Sequence, residues 1–176
     1  NDDLTLPPAT VVDLVVENVG DTYVDLNWST AALANEYWVY RSLLSGGGYQ
    51  LVGTTTTSDY TDTGLTPGQR VYYVVVAANT ASGLVSGYSN EVTALPAYTI
   101  GWANLQWPPS INHTIGVIPT PDIYGQVWID GVTSLPGATP SLWAQVGYGP
   151  DGSLPDGNSD WLWVDATFNT DAGNND

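Results

Sequence analysis

The sequence predicts an all-β protein of two tandem β-sandwich domains, and three observations carry that prediction. Short runs of Val, Thr, Tyr and Trp alternate apolar with polar residues, as half-buried strands do. Gly, Pro, Asn and Asp punctuate these runs every few residues, where turns are needed. No segment keeps a helical apolar period for more than two turns. The strand pattern closes at Leu95-Pro96-Ala97 and starts again beyond it, which divides the 176 residues into an extended segment 1–7, a domain 8–97 and a domain 98–176.

In the first domain the runs are Thr10 to Val16, Tyr23 to Ser29, Glu36 to Arg41, Tyr49 to Thr54, Val71 to Ala78 and Asn90 to Leu95. Each is short and bounded by turn formers, so about 90 residues accommodate six or seven strands. Gly46-Gly47-Gly48 lies between Leu44 and Tyr49 with no following Lys and no helix start. It reads as a strand connection, not a phosphate cradle.

The order of residues in this half is specific. Pro8 precedes an alternating strand, Val24-Asp25-Leu26-Asn27-Trp28 supplies a core tryptophan, and Tyr37-Trp38-Val39-Tyr40-Arg41 follows. Then come Tyr60-Thr61-Asp62-Thr63-Gly64-Leu65-Thr66-Pro67-Gly68, Val71 to Asn79, and Gly87-Tyr88-Ser89-Asn90-Glu91-Val92. Residues 8–97 thereby resemble a fibronectin type III domain. The resemblance implies a tyrosine corner with its tyrosine six residues after Leu65, but that position is Val71. Either Tyr72 or Tyr73 takes the role, or the corner is missing.

In the second domain strands are expected at Thr99 to Leu105, Ile115 to Ile118, Gly125 to Ile129, Leu142 to Tyr148 and Trp161 to Phe168, with a turn-rich loop from Gly149 to Asp160. Gly101-Trp102-Ala103-Asn104, Tyr124-Gly125-Gln126-Val127, Gly147-Tyr148-Gly149-Pro150 and Gly173-Asn174-Asn175-Asp176 resemble a β-sandwich module attached to secreted bacterial hydrolases and surface proteins. In that module the GNND run leads into an acidic-then-apolar strand, whereas this sequence stops at Asp176, so the second sandwich is expected to be incomplete. An open sandwich edge invites strand pairing. Asp3, Leu4, Thr5 and Leu6 have the acidic-then-apolar character of the missing strand. The expectation is therefore strand donation to a neighbouring copy, a head-to-tail contact that generates a filament. Truncation is the competing explanation.

Composition narrows function. Eighteen carboxylates face two cations, Arg41 and Arg70, for a net charge of -16, shared as -8 and -8 between residues 1–97 and 98–176. Two cations cannot neutralise a run of phosphates, so nucleic acid is excluded as a partner and anionic membranes are poor ones. No apolar stretch approaches the ~20 residues of a membrane span. With no Cys and one His, thiol chemistry and a multi-histidine zinc site are excluded. The lysine-free, Thr/Gly/Asn-rich and aromatic-rich composition suits an extracellular setting.

Catalysis finds little to work with. Asp151, Asp156 and Asp160 share one loop, but no apolar surroundings raise one carboxyl above another, and they read as turn formers. The same oxygens are calcium candidates, as are Asp171, Asn174, Asn175 and Asp176, although neither spacing matches the EF-hand loop. His113 has Ser110 nearby but no nucleophile elbow. The sequons at Asn27 and Asn112 are possible glycosylation sites.

Tryptophan is the remaining signal. Six fall within the 79 residues of the second domain, more than a core of that size needs. Trp161 and Trp163 share one face of a strand and Leu162 and Val164 the other. Trp102, Trp107, Trp161 and Trp163 are the candidates for stacking on a saccharide or meeting a neighbouring subunit. Two functions follow: a non-enzymatic extracellular fibre or surface-array subunit that pairs with itself, or an accessory carbohydrate-binding region of a secreted glycoside hydrolase that binds polysaccharide.

Overall fold

A computed structural model describes residues 6–111 and 120–171. Among the described residues every regular element is a strand. The chain divides into two compact units, Asn1–Tyr98 and Thr99–Asp176.

The first unit contains β1 (Val15–Val19), β2 (Tyr23–Asn27), β3 (Glu36–Ser42), β4 (Gln50–Thr55), β5 (Asp59–Thr63), β6 (Val71–Asn79), β7 (Leu84–Val85) and β8 (Val92–Ala94). One sheet runs β1-β2-β5; the other runs β4-β3-β6-β7, with β8 also paired to β6. Alternation decides which residues meet between the sheets. Val24, Leu26 and Trp28 point inward from one sheet, and Tyr37, Val39, Val71, Tyr73, Val75 and Ala77 from the other. Trp28 and Tyr37 meet edge to face with ring centroids 5.4 Å apart.

Three strands differ from the sequence expectation: β1 in its bounds, and β5 and β7, which the expected runs do not include. The run from Thr10 becomes regular only at Val15, because Leu14 pairs with a side chain instead of a strand: its N–H donates to Asn90 Oδ1 at 3.0 Å, and Asn90 Nδ2 donates to its carbonyl at 2.8 Å. β5, with two Asp in five residues, carries little strand propensity of its own. It is ordered by pairing with β2 over five register positions.

β5 also supplies the polar tie of the sandwich. Asp62 is buried, and its Oδ2 accepts from Arg41 Nη1 and from the Tyr73 hydroxyl, both at 2.8 Å. Asp62 belongs to one sheet, and Arg41 and Tyr73 to the other. Burial, followed by the hydrogen bond to Asp62, pushes the Tyr73 phenol well above the usual tyrosine range. Val71 occupies the expected tyrosine-corner position as a core residue. Tyr73 is the fully buried tyrosine, and it bonds a carboxylate.

The outer face of the larger sheet carries a second apolar layer. Val74, only 2% exposed, lies across the ladder from Tyr40. Tyr88 packs on Tyr40 and Tyr49 with centroids 5.6 and 5.3 Å away. Glu91 clasps the glycine-rich β3–β4 connection beside them. It accepts from Ser45 Oγ at 2.6 Å, from the Gly46 N–H at 2.8 Å and from the Tyr49 hydroxyl.

The second unit contains β9 (Trp102–Trp107), β10 (Tyr124–Trp128), β11 (Gln145–Tyr148) and β12 (Leu162–Asp165). Of the incomplete sandwich expected there, the described residues supply two antiparallel pairs, β9 with β10 and β11 with β12, in separate two-stranded sheets. Ile129 and Thr133 are buried, and the Ile129 N–H donates to Thr133 Oγ1 at 3.1 Å. The expected run Ile115 to Ile118 lies outside the described residues.

Asp62→Asn leaves the Arg41 guanidinium without its counter-charge. A loss of about 2–3 kcal/mol is expected in urea unfolding of the first unit, at the lower edge of the buried-pair range because the Arg41 side chain is about one-third exposed. Tyr73→Phe is expected to cost about 1 kcal/mol. A D62N loss below about 0.5 kcal/mol would contradict the tie.

The Glu91 clasp has a pH window with two edges. The Gly46 N–H, then Ser45 and Tyr49, hold the Glu91 carboxyl below its usual range, so its contribution is present above the ordinary carboxylate pKa and is lost as acid titrates it. Tyr49 is pushed up to about 12 by burial first and by Glu91 second. Its contribution is present below the ordinary tyrosine pKa and is lost as pH rises from there through about 12. Carbon-detected NMR titration should show both displaced midpoints. Glu91→Gln should lower the Tyr49 midpoint only part of the way to about 10, and an unshifted Tyr49 in the wild type would contradict the assignment.

Candidate functional site

The site is built on β11 and β12. Gly147 pairs directly with Trp163, and Tyr148 with Leu162. Period two puts Trp161 and Trp163 on one side of their strand, and the glycines opposite leave room for both indoles to lie across the backbone. A Cβ added to Gly147 would stand 2.7 Å from the six-membered ring of Trp163, and one on Gly149 would stand 2.6 Å from the ring atoms of Trp161. The rings are 6.0 Å apart between centroids, with planes inclined by 31°. Trp163 remains 50% exposed.

The loop from Gly149 to Asp160 fixes the outer end of this pair. Gly152 and Gly157 adopt φ of 72° and 65°, the left-handed conformation that glycine takes without a Cβ penalty. The turn places Ser153 Oγ to accept from Trp161 Nε1 at 2.9 Å and to donate to the Pro150 carbonyl at 2.6 Å. Asp151, Asp156 and Asp160 are all exposed on this loop. Among the described residues no three His, Cys, Asp or Glu side chains gather as a metal site, so the calcium candidates of this loop do not converge. What the loop provides is a negative surround, since the second unit carries eight Asp and no Lys or Arg. Two indoles on a glycine floor, surrounded by acid, suit a neutral ligand with an apolar face.

The other candidates are arranged differently. Trp102 and Trp107 are exposed on β9, and although five residues apart they share a side, because a bulge in β9 shifts the register by one residue between them. They pair across the ladder with Trp128 and Tyr124 respectively, and the Trp128 ring lies on Gly101. Among the described residues no ring contact joins Trp102 or Trp107 to another aromatic. Asn27 is half-buried on the middle strand of its sheet. Leu6 is exposed, while Asp3, Leu4, Thr5, Asn112, His113, Asn174, Asn175 and Asp176 lie outside the described residues. Asp171 accepts from the Gly137 N–H through both oxygens at 3.1 Å.

Sequence reasoning paired the tryptophans but missed Gly147 and Gly149, which make the pair a platform. The signal was present as a Gly-Tyr-Gly run facing a Trp-Leu-Trp run. Trp143, 83% exposed, is the other residue that composition alone did not single out.

Gly147→Ala forces the Trp163 ring to shift. Loss of the circular-dichroism signal from coupled indoles is expected, to the same extent as in Trp161→Phe. An unchanged signal in G147A would contradict the glycine floor.

No family model matches this chain. The chain is 37% identical, over 96% of its length, to an amylopullulanase of Thermoanaerobacter thermohydrosulfuricus and spans 12% of that protein. It is 37% identical over 99% of its length to an amylopullulanase of Thermoanaerobacterium thermosulfurigenes and spans 10% of it. Among solved structures it is similar to a fibronectin type III-like protein of Clostridium thermocellum, at 38% identity, with 50% of this chain and 92% of that one covered and a TM-score of 0.42.

Proposed function

We propose that this chain is a non-catalytic accessory region of a secreted glycoside hydrolase and that it holds the enzyme against polysaccharide. The observation that carries the reading is the extent of the likeness to amylopullulanases, which runs through both units yet takes up a small part of each relative. A segment of that size beside a much longer remainder suits an attached module. The described acidic residues support a non-catalytic role: those of the second unit are exposed on loops and strand edges, and Asp62 is committed to Arg41 and Tyr73. An extracellular setting agrees with the composition and with a polymeric substrate that does not enter cells. Fibre assembly through Asp3, Leu4, Thr5 and Leu6 has no support among these relatives, and the hydrolase reading replaces it.

Affinity electrophoresis of the purified chain in gels cast with soluble polysaccharides tests the reading. Retardation in at least one gel is expected, with no release of reducing sugar from any of them. Identical mobility in every gel, or release of reducing ends, would overturn it.

A further inference from the structure

We infer that the Trp161–Trp163 pair is the contact surface for a curved, α-linked glucan, and that it discriminates against flat β-linked chains. This rests on the reading that the chain meets polysaccharide and specifies where and which kind.

The inclination of the rings carries the inference. A β-1,4-linked glucan is a flat ribbon, and aromatic rings that stack along it must lie close to one plane. An α-linked glucan curls, so the apolar faces of neighbouring sugars tilt toward one another along the inside of the curve. Two indoles inclined by 31° at 6.0 Å share no common plane, so they match a chain whose neighbouring sugars are inclined better than a ribbon. The inclination is fixed before any ligand arrives. Trp163 rests on Gly147, Trp161 rests on Gly149, and the Trp161 Nε1–Ser153 hydrogen bond at 2.9 Å holds its free edge. Rings held in this way lose little freedom on binding and cannot flatten to accept a ribbon. Chemistry narrows the ligand further, because Asp151, Asp156 and Asp160 are exposed on the adjoining loop and Asp165 on β12, and the second unit carries no Lys or Arg to offset them. An anionic ligand is therefore disfavoured, which excludes uronic-acid and sulfated polymers.

The same geometry separates this pair from the other exposed tryptophans. Trp102 and Trp107 share a side of β9 but stand at opposite ends of it, about 13 Å apart along the strand, and so do not form a contiguous pair.

The test measures dissociation constants of the full chain by affinity electrophoresis in amylopectin and in hydroxyethylcellulose, for the wild type, W161A, W163A, W163Y and G147A. A cooperative urea-unfolding transition confirms that each variant is folded. Amylopectin is expected to bind at least tenfold tighter than hydroxyethylcellulose. W161A and W163A should each weaken amylopectin at least tenfold, as loss of a tryptophan hot spot does, with W163Y intermediate and G147A weakened although both indoles remain. Equal or tighter binding to hydroxyethylcellulose would overturn the curved-chain assignment while leaving a polysaccharide role standing. Amylopectin binding unchanged in both W161A and W163A would overturn the site. Absence of retardation in any polysaccharide would remove the accessory function on which the assignment rests.

Discussion

The Asp62 carboxylate joins the two sheets of the first unit, and in doing so it takes up one of the two cations that 18 carboxylates share. Among the described residues Arg41–Asp62 is the only salt bridge. The rest of the molecule is held by other means. Apolar alternation fills the sandwich, Asn90 satisfies the backbone of Leu14, and Glu91 is met by amide and hydroxyl donors instead of a base. The shortage of positive charge therefore shapes the fold as well as its partners. A surface whose one remaining cation is Arg70 attracts neither phosphate nor acidic polymer, and specific binding is left to aromatic faces.

The two units solve the problem of apolar residues in different ways. In the first, the apolar positions of β2, β3 and β6 close on one another, and Tyr40, Tyr49 and Tyr88 add a layer outside the larger sheet. Tyr88 meets Tyr40 edge to face and Tyr49 at a tilt, so these rings pack on one another while Tyr88 stays 52% exposed. In the second, Trp161 and Trp163 lie flat on glycine, with the other side of Trp163 open to solvent. Glycine in a strand weakens it unless something packs there, and here the indoles do, so one contact serves both the hairpin and the proposed binding surface.

Much of the first sandwich was legible in the sequence because its signals are local. Val24, Leu26 and Trp28 alternate, Tyr37 and Val39 alternate, and the turns between them carry their own glycines and prolines. β5 was not legible as a strand, since Asp59 and Asp62 argue against one and only the pairing with β2 and the Arg41–Tyr73 pocket explain it. The sequence leaves the corner open between Tyr72, Tyr73 and no corner at all; Tyr73, two residues from Val71 and so on its face, is the buried one, and only the position of Asp62 across the sandwich shows what its hydroxyl meets. At the platform, the shared face of Trp161 and Trp163 followed from period two. The floor of Gly147 and Gly149 did not, because it depends on the register of a hairpin whose loop is twelve residues long. The strand-donation expectation finds no support among the relatives, and its donor residues Asp3, Leu4 and Thr5 lie outside the described residues; an acidic-then-apolar pattern alone does not specify a partner.

The central claim is that a saccharide lies on Trp161 and Trp163, and indole N–H resonances report on it directly. The chain has eight tryptophans, and substitution of Trp161 and Trp163 by Phe, one at a time, assigns their signals. On titration with maltoheptaose the Nε1–H resonances of Trp161 and Trp163 should shift most, while that of the buried Trp28 stays in place. Shifts confined to Trp102 or Trp107, or spread equally over all eight signals, would contradict it.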